Sequence, residues 1–136
     1  MFEHTTAITS FSVDDVATAE RFYGDTLGLE ATRESDQDAT VLWLRLVDGH
    51  SVLIYPKPDH IPASYTVLNF AVDDIDRAVD ELTSRGVRLL RFDEFGTDER
   101  GILRTEARDI AWFADPAGNV HSVAHLKVAL RTAGGG

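Results

Sequence analysis

The chain of 136 residues has no cysteine, only four prolines and a single methionine. The lack of cysteine excludes disulfides, thiolate metal ligands and cysteine nucleophiles. Its apolar runs are only a few residues long, whereas a membrane-spanning helix needs about 20 apolar residues. Residues 1–5 carry neither a basic start nor an apolar core for export. We therefore expect a cytoplasmic protein with no membrane partner.

Basic residues are also scarce. The chain has 13 Lys and Arg against 23 Asp and Glu, a formal net charge of -10. Phosphate backbones and anionic lipids are bound by clusters of basic side chains, so nucleic acid is not an expected partner. The acidic excess serves solubility in the simplest interpretation, although such a surface can also attract a cationic small molecule.

Two segments of the chain contain similar short motifs in the same order. The sequence FSVDDV at residues 11–16 returns as FAVDDI at residues 70–75. Each copy is followed by a tryptophan and then by His-Ser-Val; these are Trp43 with residues 50–52 and Trp112 with residues 121–123. Three matches in one order indicate a duplicated folding unit. Two such units facing each other would enclose a cleft, and its lining would decide the function.

Each copy predicts a strand, an amphipathic helix and three further strands. Alternating apolar residues indicate the strands, and helical spacing after a pair of aspartates indicates a capped helix. Gly86 should end the second helix in the left-handed conformation. The polar segment 95–108 is predicted to be a loop that acts as a flap. Strands are predicted at residues 7–13, 29–33, 40–47, 51–55, 66–72, 87–92, 109–114 and 120–127.

Three motifs are similar to those of a known family. They are FYGDTLGL at residues 22–29, LTSRGV at residues 82–87 and FADPAGN at residues 113–119. From about residue 7 to residue 127 the chain resembles the glyoxalase, bleomycin-resistance and extradiol-dioxygenase superfamily, also called vicinal oxygen chelate (VOC) proteins. These motifs are specific for the fold and not for an activity, since the superfamily includes lyases, isomerases, epimerases, dioxygenases and metal-free drug-binding proteins.

The repeat and the resemblance together predict an α+β fold. We expect one domain over residues 1–136, built from two tandem βαβββ modules at residues 7–55 and 66–127. Their strands should form a curved eight-stranded sheet around the cleft, with the helices on the outer face. Residues 56–65, which hold three of the four prolines, are predicted to be a linker. Residues 131–136 are predicted to be a disordered tail.

In catalytic members, the resemblance implies a divalent metal held by side chains of the first and last strands of each module. These positions fall here on Ile8, Ser51 or Val52, Val67 and Ser122. Such a site needs three or four nitrogen or oxygen donors, but Ile and Val offer none and Ser is a poor neutral ligand. We predict no metal and no other cofactor, with a divalent metal as the alternative.

The strand alternation also predicts which side chains face the cleft, and this set contains no histidine and no carboxylate. A mostly apolar lining with two indoles suits flat or aromatic ligands. Core packing of the tryptophans is equally compatible, because a slip of one residue turns both to the other face. Arg45 should face water or the cleft, where it could hold an anionic or carbonyl group. The candidate ligand-binding residues are Trp43, Arg45, Tyr55, Asn69, Trp112 and Ser122.

In this interpretation the five histidines do not form a metal site at other positions of the fold. His121 and His125 lie four residues apart in a predicted strand, too far to grip one ion. His50 and His121 occupy equivalent positions facing the helices. We expect them to be partly buried and structural, with a dimer contact or chemistry as alternatives. His4 and His60 are expected to be solvated.

The function that we favour is a metal-free small-molecule-binding protein, which sequesters a hydrophobic or aromatic ligand as drug-resistance proteins of the superfamily do. The resemblance implies that such proteins are commonly homodimers. The alternative is an enzyme, a glyoxalase-type lyase or isomerase or a dioxygenase, with a nonstandard metal site that uses His50, His121 or the 95–108 loop. A third hypothesis is a partner-binding or regulatory module that keeps the fold and has lost the pocket. No residue is assigned a catalytic role.

Overall fold

A computed structural model of the protein describes residues 1–127. The predicted tail at residues 131–136 lies outside the described residues. The chain divides into a first unit, Met1–Pro62, and a second unit that begins at Ala63. This division falls inside the predicted linker. None of the helices within residues 1–127 is long and apolar enough to cross a membrane.

The first unit contains a four-stranded sheet and one helical segment. The sheet order is β1-β4-β3-β2, in which β1 and β4 are parallel and the other pairs are antiparallel. The helix α1 continues directly into a π-helical segment. The elements are β1 Thr9–Val13, α1 Val16–Glu20, the π-helical segment Arg21–Thr26, β2 Glu30–Ser35, β3 Thr40–Arg45 and β4 Ser51–Pro56.

The apolar alternation of these strands decides which face of the first sheet is covered. The residues that point toward α1 form a core with the apolar side of the helical segment, because burial of apolar area is the dominant stabilising term. Asp15 stands at the N-cap in an extended conformation, and its carboxylate accepts a hydrogen bond from the Thr18 hydroxyl at 2.5 Å rather than from a backbone N–H. The buried apolar residues of this unit are Phe11, Val13, Val16, Ala19, Phe22, Tyr23, Leu42, Leu44, Val52 and Ile54.

The second unit repeats this plan with one more strand. Its sheet has the order β5-β9-β8-β6, and β7 pairs with β8 further along that strand. The strands β5 and β9 are parallel, as β1 and β4 are in the first unit. The elements are β5 Thr66–Ala71, α2 Ile75–Ser84, β6 Arg88–Leu90, a 3-10 turn Asp93–Phe95, β7 Ile102–Arg104, β8 Arg108–Ala114 and β9 Val120–Leu126.

Local sequence sets both ends of α2. The side chain of Asp74 accepts a hydrogen bond from the Arg77 N–H at 3.1 Å, which satisfies one of the free donors of the first turn. At the other end Gly86 has φ +76°, the left-handed conformation that glycine adopts without a Cβ penalty. Both ends agree with the sequence prediction.

The α+β class and the tandem βαβββ order are confirmed. Within the described residues the strands form two sheets, of four and five strands, where the sequence predicts eight strands in one curved sheet. The extra strand β7 lies inside segment 95–108, so the prediction that this whole segment is a loop was wrong. The physical reason is Ile102, which is buried and pairs with Ala111, while the Asp98 carboxylate accepts the Ile102 N–H at 2.9 Å.

Candidate functional site

In each unit, one face of the sheet is not covered by that unit's own helix and carries a tryptophan. In the first unit, Trp43 lies opposite Leu53 of β4 and Arg45 lies opposite Ser51. Leu42 and Leu44, their neighbours in β3, are buried on the other face. The alternation therefore turns Trp43 away from the core of the first unit.

A pocket of about 510 Å³ lies at one end of this face. Ser51 and Trp43 form part of its wall, and the turn between β3 and β4 closes one side. Ile8, which is 58 % exposed just before β1, contributes an apolar surface. The lining residues are Thr6, Ala7, Ile8, Trp43, Asp48, Gly49, His50 and Ser51. The pocket is more polar than the sequence predicts, because the turn brings Asp48 and His50 to its rim.

Arg45 and Tyr55 lie at opposite ends of β3 and β4 on this face. Arg45 is exposed, and within residues 1–127 no ion pair or hydrogen bond engages its guanidinium. Tyr55 is also exposed and is the register partner of Ser12 in β1. The guanidinium is thus available to an anionic group, which an Arg binds in bidentate geometry.

In the second unit, three of the predicted ligand-binding residues form one row across the sheet. Asn69 of β5 pairs with Ser122 of β9, and Ser122 pairs with Trp112 of β8. The Ser122 hydroxyl is buried and donates a hydrogen bond to Asn69 Oδ1 at 2.6 Å. The Trp112 Nε1–H donates to the Thr66 hydroxyl at 3.2 Å. Two polar groups of the row are therefore already hydrogen-bonded within the protein, and the indole is held in place.

A second pocket of about 510 Å³ lies over this row. Its wall is formed mainly by apolar and small side chains, and neither a carboxylate nor a histidine lines it. The lining residues are Thr66, Asn69, Ala71, Arg108, Ile110, Trp112, Ala124 and Leu126. Such a wall offers an aromatic surface, a few neutral hydrogen-bonding groups and one guanidinium, and it offers no group suited to proton abstraction.

Two phenylalanines that the sequence analysis missed extend the aromatic surface of Trp112. The ring of Phe92 meets the indole edge to face at a centroid distance of 5.1 Å, and the ring of Phe95 lies at 6.1 Å. Phe95 is 56 % exposed on the 3-10 turn. The sequence signal for Phe92 is its position two residues after Leu90, which puts both side chains on one face of the predicted strand 87–92. In the structure Leu90 pairs with Trp112. Nothing in the local sequence indicates that the turn returns Phe95 to the same indole.

The two equivalent histidines have different environments. His121 is 0 % exposed, as expected for a structural residue. The Leu68 N–H donates to its Nδ1 at 3.3 Å, and its Nε2 lies 3.9 Å from the buried carboxylate of Asp115. Burial lowers the pKa of His121 to about 4, although Asp115 acts in the opposite direction.

His50, in contrast, has a 61 % exposed side chain beside Asp48. The prediction that it is partly buried was wrong, because the turn before β4 ends at His50 and leaves it outside the sheet. His60 also departs from expectation. It is partly buried, and its Nδ1 lies 2.7 Å from the Ser12 hydroxyl. His4 is exposed, as predicted.

The family assignment rests on a match over nearly the whole described chain. Residues 2–123 match the model of the Glyoxalase/Bleomycin resistance protein/Dioxygenase superfamily. This chain belongs to that superfamily. No curated protein matches it in sequence.

Solved structures of the superfamily share the fold of this VOC protein. A glyoxalase family protein from Bacillus anthracis has a TM-score of 0.68 at 20% identity, over 93% of this chain and 100% of that chain. TnmS3, an antibiotic binding protein from Streptomyces sp. CB03234, has a TM-score of 0.69 at 23% identity, over 91% and 98%. A superfamily member from Sphaerobacter thermophilus DSM 20745 has a TM-score of 0.69 at 22% identity, over 89% and 98%.

The side chains at the family's metal positions do not fit a divalent metal. Ile8 and Val67 carry no donor atom, and Ser51 offers only a neutral hydroxyl. The fourth position, Ser122, is buried and its hydroxyl already donates to Asn69. Within residues 1–127, no three His, Asp or Glu side chains come together as a set that could hold a metal ion. We derive no chemical step through a metal.

Proposed function

We propose that this VOC protein binds a hydrophobic or aromatic small molecule and sequesters it without a metal or other cofactor. The observation that carries the proposal is the pocket over Trp112, whose wall contains no carboxylate and no histidine. Aromatic side chains provide a large apolar contact area at low entropic cost, so a flat ligand gains most of its affinity there by stacking.

The neighbours of Trp112 support the same ligand class. Phe92 and Phe95 add two rings beside the indole, outside the pocket lining, and more than half of the surface of Phe95 is exposed to solvent. The hydrogen bond from the indole to Thr66 fixes the orientation of the ring before a ligand arrives. A preorganised aromatic surface loses little conformational entropy on binding.

The similarity to TnmS3, an antibiotic binding protein, supports ligand binding as a function available to this fold. By the same family resemblance we propose a homodimer, and as a separate proposal we place it in the cytoplasm. Arg45 and Tyr55 would contact a ligand on the first unit, and Asn69 would contribute a neutral polar group on the second. Ser122 does not reach a ligand, because it is fully buried; its hydroxyl donates to Asn69 Oδ1 and so orients that amide. The ligand class that fits either face by itself is an aromatic molecule with an anionic or carbonyl substituent, because each face combines an indole with a guanidinium, that of Arg45 in the first unit and of Arg108 in the second.

Tryptophan fluorescence tests the proposal directly. Anthraquinone-2-sulfonate, a planar aromatic anion, is titrated into the protein and into the single variants Trp43→Phe and Trp112→Phe. In Trp43→Phe the remaining indole, Trp112, reports on the proposed pocket, so this variant should bind with the wild-type affinity. Trp112→Phe keeps the pocket apolar but removes its reporter, so its affinity is measured by calorimetry. Its binding should be weaker by about 1 kcal/mol, or roughly fivefold, because phenylalanine offers a smaller stacking surface. No change in fluorescence for the wild type and Trp43→Phe, or equal affinity in the wild type and Trp112→Phe, would contradict the proposed site.

Metal analysis tests the second part of the proposal. The protein is purified without chelator, dialysed and analysed for Zn, Ni, Fe and Mn. We expect less than stoichiometric metal, and we expect anthraquinone-2-sulfonate to bind equally well after treatment with EDTA. Stoichiometric metal that resists dialysis would overturn the metal-free assignment and favour the lyase, isomerase or dioxygenase hypothesis.

A further inference from the structure

A serine and a histidine that are far apart in the sequence meet at the end of the first sheet. The Nδ1 atom of His60 lies 2.7 Å from Oγ of Ser12, within the range in which a base can take a proton from a nucleophile. Both side chains are only partly buried, so the pair is accessible from solvent. This contact places an imidazole beside a hydroxyl outside the pocket over Trp112.

The backbone around His60 holds the imidazole in this position. The parallel pairing of β1 with β4 ends at Val13 and Pro56, and the Lys57 N–H extends it by donating to the Val13 carbonyl at 3.0 Å. The chain then turns back, because the His60 N–H donates to the Lys57 carbonyl at 3.0 Å. These two hydrogen bonds fix the turn that carries His60 relative to the strand that carries Ser12.

The surroundings of Ser12 suit an aromatic acyl donor. Tyr55 is the register partner of Ser12 across β1 and β4, so its ring lies on the same face of the sheet beside the hydroxyl. The ring is 36 % exposed, which leaves a surface on which an aryl group can stack. The geometry therefore combines a nucleophile, a base and a contact for a leaving group.

We propose that Ser12 and His60 form a nucleophile–base pair that accepts an acyl group from an activated aryl ester. Ser12 Oγ forms a bond to the carbonyl carbon while its proton passes to His60 Nδ1. The bond from the carbonyl carbon to the aryl oxygen then breaks, and the leaving group departs as a phenolate. The proton on His60 passes to solvent and the phenolate takes up one proton from solvent, so the net products are an O-acyl serine and a phenol. This activity does not depend on ligand binding at Trp112.

Acylation by p-nitrophenyl acetate tests the pair. We expect a burst of one equivalent of p-nitrophenol and a mass increase of one acetyl group, which tandem mass spectrometry of the tryptic peptide assigns to Ser12. The variant Ser12→Ala should lose the burst. Ser10→Ala is the matched control, because Ser10 is an exposed serine on the same face of β1, and its burst should equal that of the wild type.

The variant His60→Asn distinguishes two roles of His60, the uptake of a proton and the hydrogen bond to Ser12. The Asn side-chain amide can occupy the position of Nδ1 and bond to Ser12, but it cannot take a proton. A general base contributes about 100-fold or more, so the acylation rate should fall by at least that factor. His60→Gln is measured in parallel, and rates are compared for variants whose near-UV circular dichroism matches the wild type. An acetyl group on another residue, or an unchanged rate in both His60 variants, would overturn the proposal.

Discussion

The buried imidazole of His121 makes the second unit sensitive to acid. One extra residue of β5 interrupts the pairing with β9, since Thr66 pairs with Val120 but Asn69 pairs with Ser122. The Leu68 N–H falls in this interval and donates to His121 Nδ1. A protonated imidazole has no lone pair for that hydrogen bond, and its charge would sit in a fully buried position.

The size of the effect follows from the two pKa values of the imidazole. The pKa is about 4 in the folded protein and 6.5 for an unperturbed histidine. Because the unfolded chain binds the proton at a higher pH than the folded chain, the free energy of unfolding is unaffected above about pH 6.5 and falls as the pH drops toward 4. Each pKa unit is worth about 1.4 kcal/mol, which gives a loss of about 2 kcal/mol between pH 7 and pH 5.

Urea unfolding at pH 7 and pH 5 measures this loss. The protein carries Trp43→Phe, so that Trp112 reports on the second unit. We compare it with the same protein carrying His121→Asn, in which the Asn carbonyl oxygen can accept from Leu68 but does not titrate in this range. The absolute stability of that variant should be lower, because a smaller side chain leaves a cavity. Its loss between the two pH values should be smaller by about 2 kcal/mol.

A matched control variant shows whether the pH dependence comes from His121 or from other titrating groups. His50→Asn changes an exposed histidine and should retain the full pH dependence. Carboxylates remote from the replaced histidine contribute equally to all three proteins and cancel in the comparison. If the protein with His121 and the His121→Asn variant lose the same free energy between pH 7 and pH 5, the reasoning from burial and the Leu68 hydrogen bond is refuted.

Three further predictions concern single side chains. Asp74→Ala should lower the free energy of unfolding by about 1 kcal/mol in urea melts, because it removes the cap of α2, whereas Asp73→Ala should change it little. Gly86→Ala should also cost about 1 kcal/mol through its positive φ alone, since an added Cβ meets no atom within 4 Å; a neutral result would show that the turn relaxes. Arg45→Gln should leave the thermal midpoint unchanged but weaken the binding of anthraquinone-2-sulfonate that Trp43 reports in the Trp112→Phe variant, and equal affinity there would show that Arg45 contacts no ligand on the first unit.

Periodic patterns in the sequence predicted the parts of the fold that repeat locally. The alternation in β3 and β8 placed each tryptophan on the face opposite its strand neighbours but left open which face is the core, and the structure buries those neighbours against the helix in both units. The Asp74 cap and the Gly86 termination follow from the properties of single residues. These features depend on neighbours a few positions away, so the sequence carries them directly.

Contacts between distant segments were not predictable in this way. The strand β7 in the polar segment 95–108 exists because Ile102 gains burial against β8. The placement of Phe95 against Trp112 depends on where the 3-10 turn returns the chain. No periodic pattern encodes either result, since both depend on the register between strands.

The sequence by itself determined the duplicated βαβββ order and the superfamily, and it left open which face of each sheet the tryptophans occupy. Only the tertiary structure decided the roles of the histidines. His50 and His121 occupy the same place in the repeat, yet one is exposed at a turn and the other is buried at an interruption of strand pairing. His60 meets Ser12 only because the turn after β4 folds back. The physical reason is that a histidine's chemistry depends on burial and on its partners, and both come from distant parts of the chain.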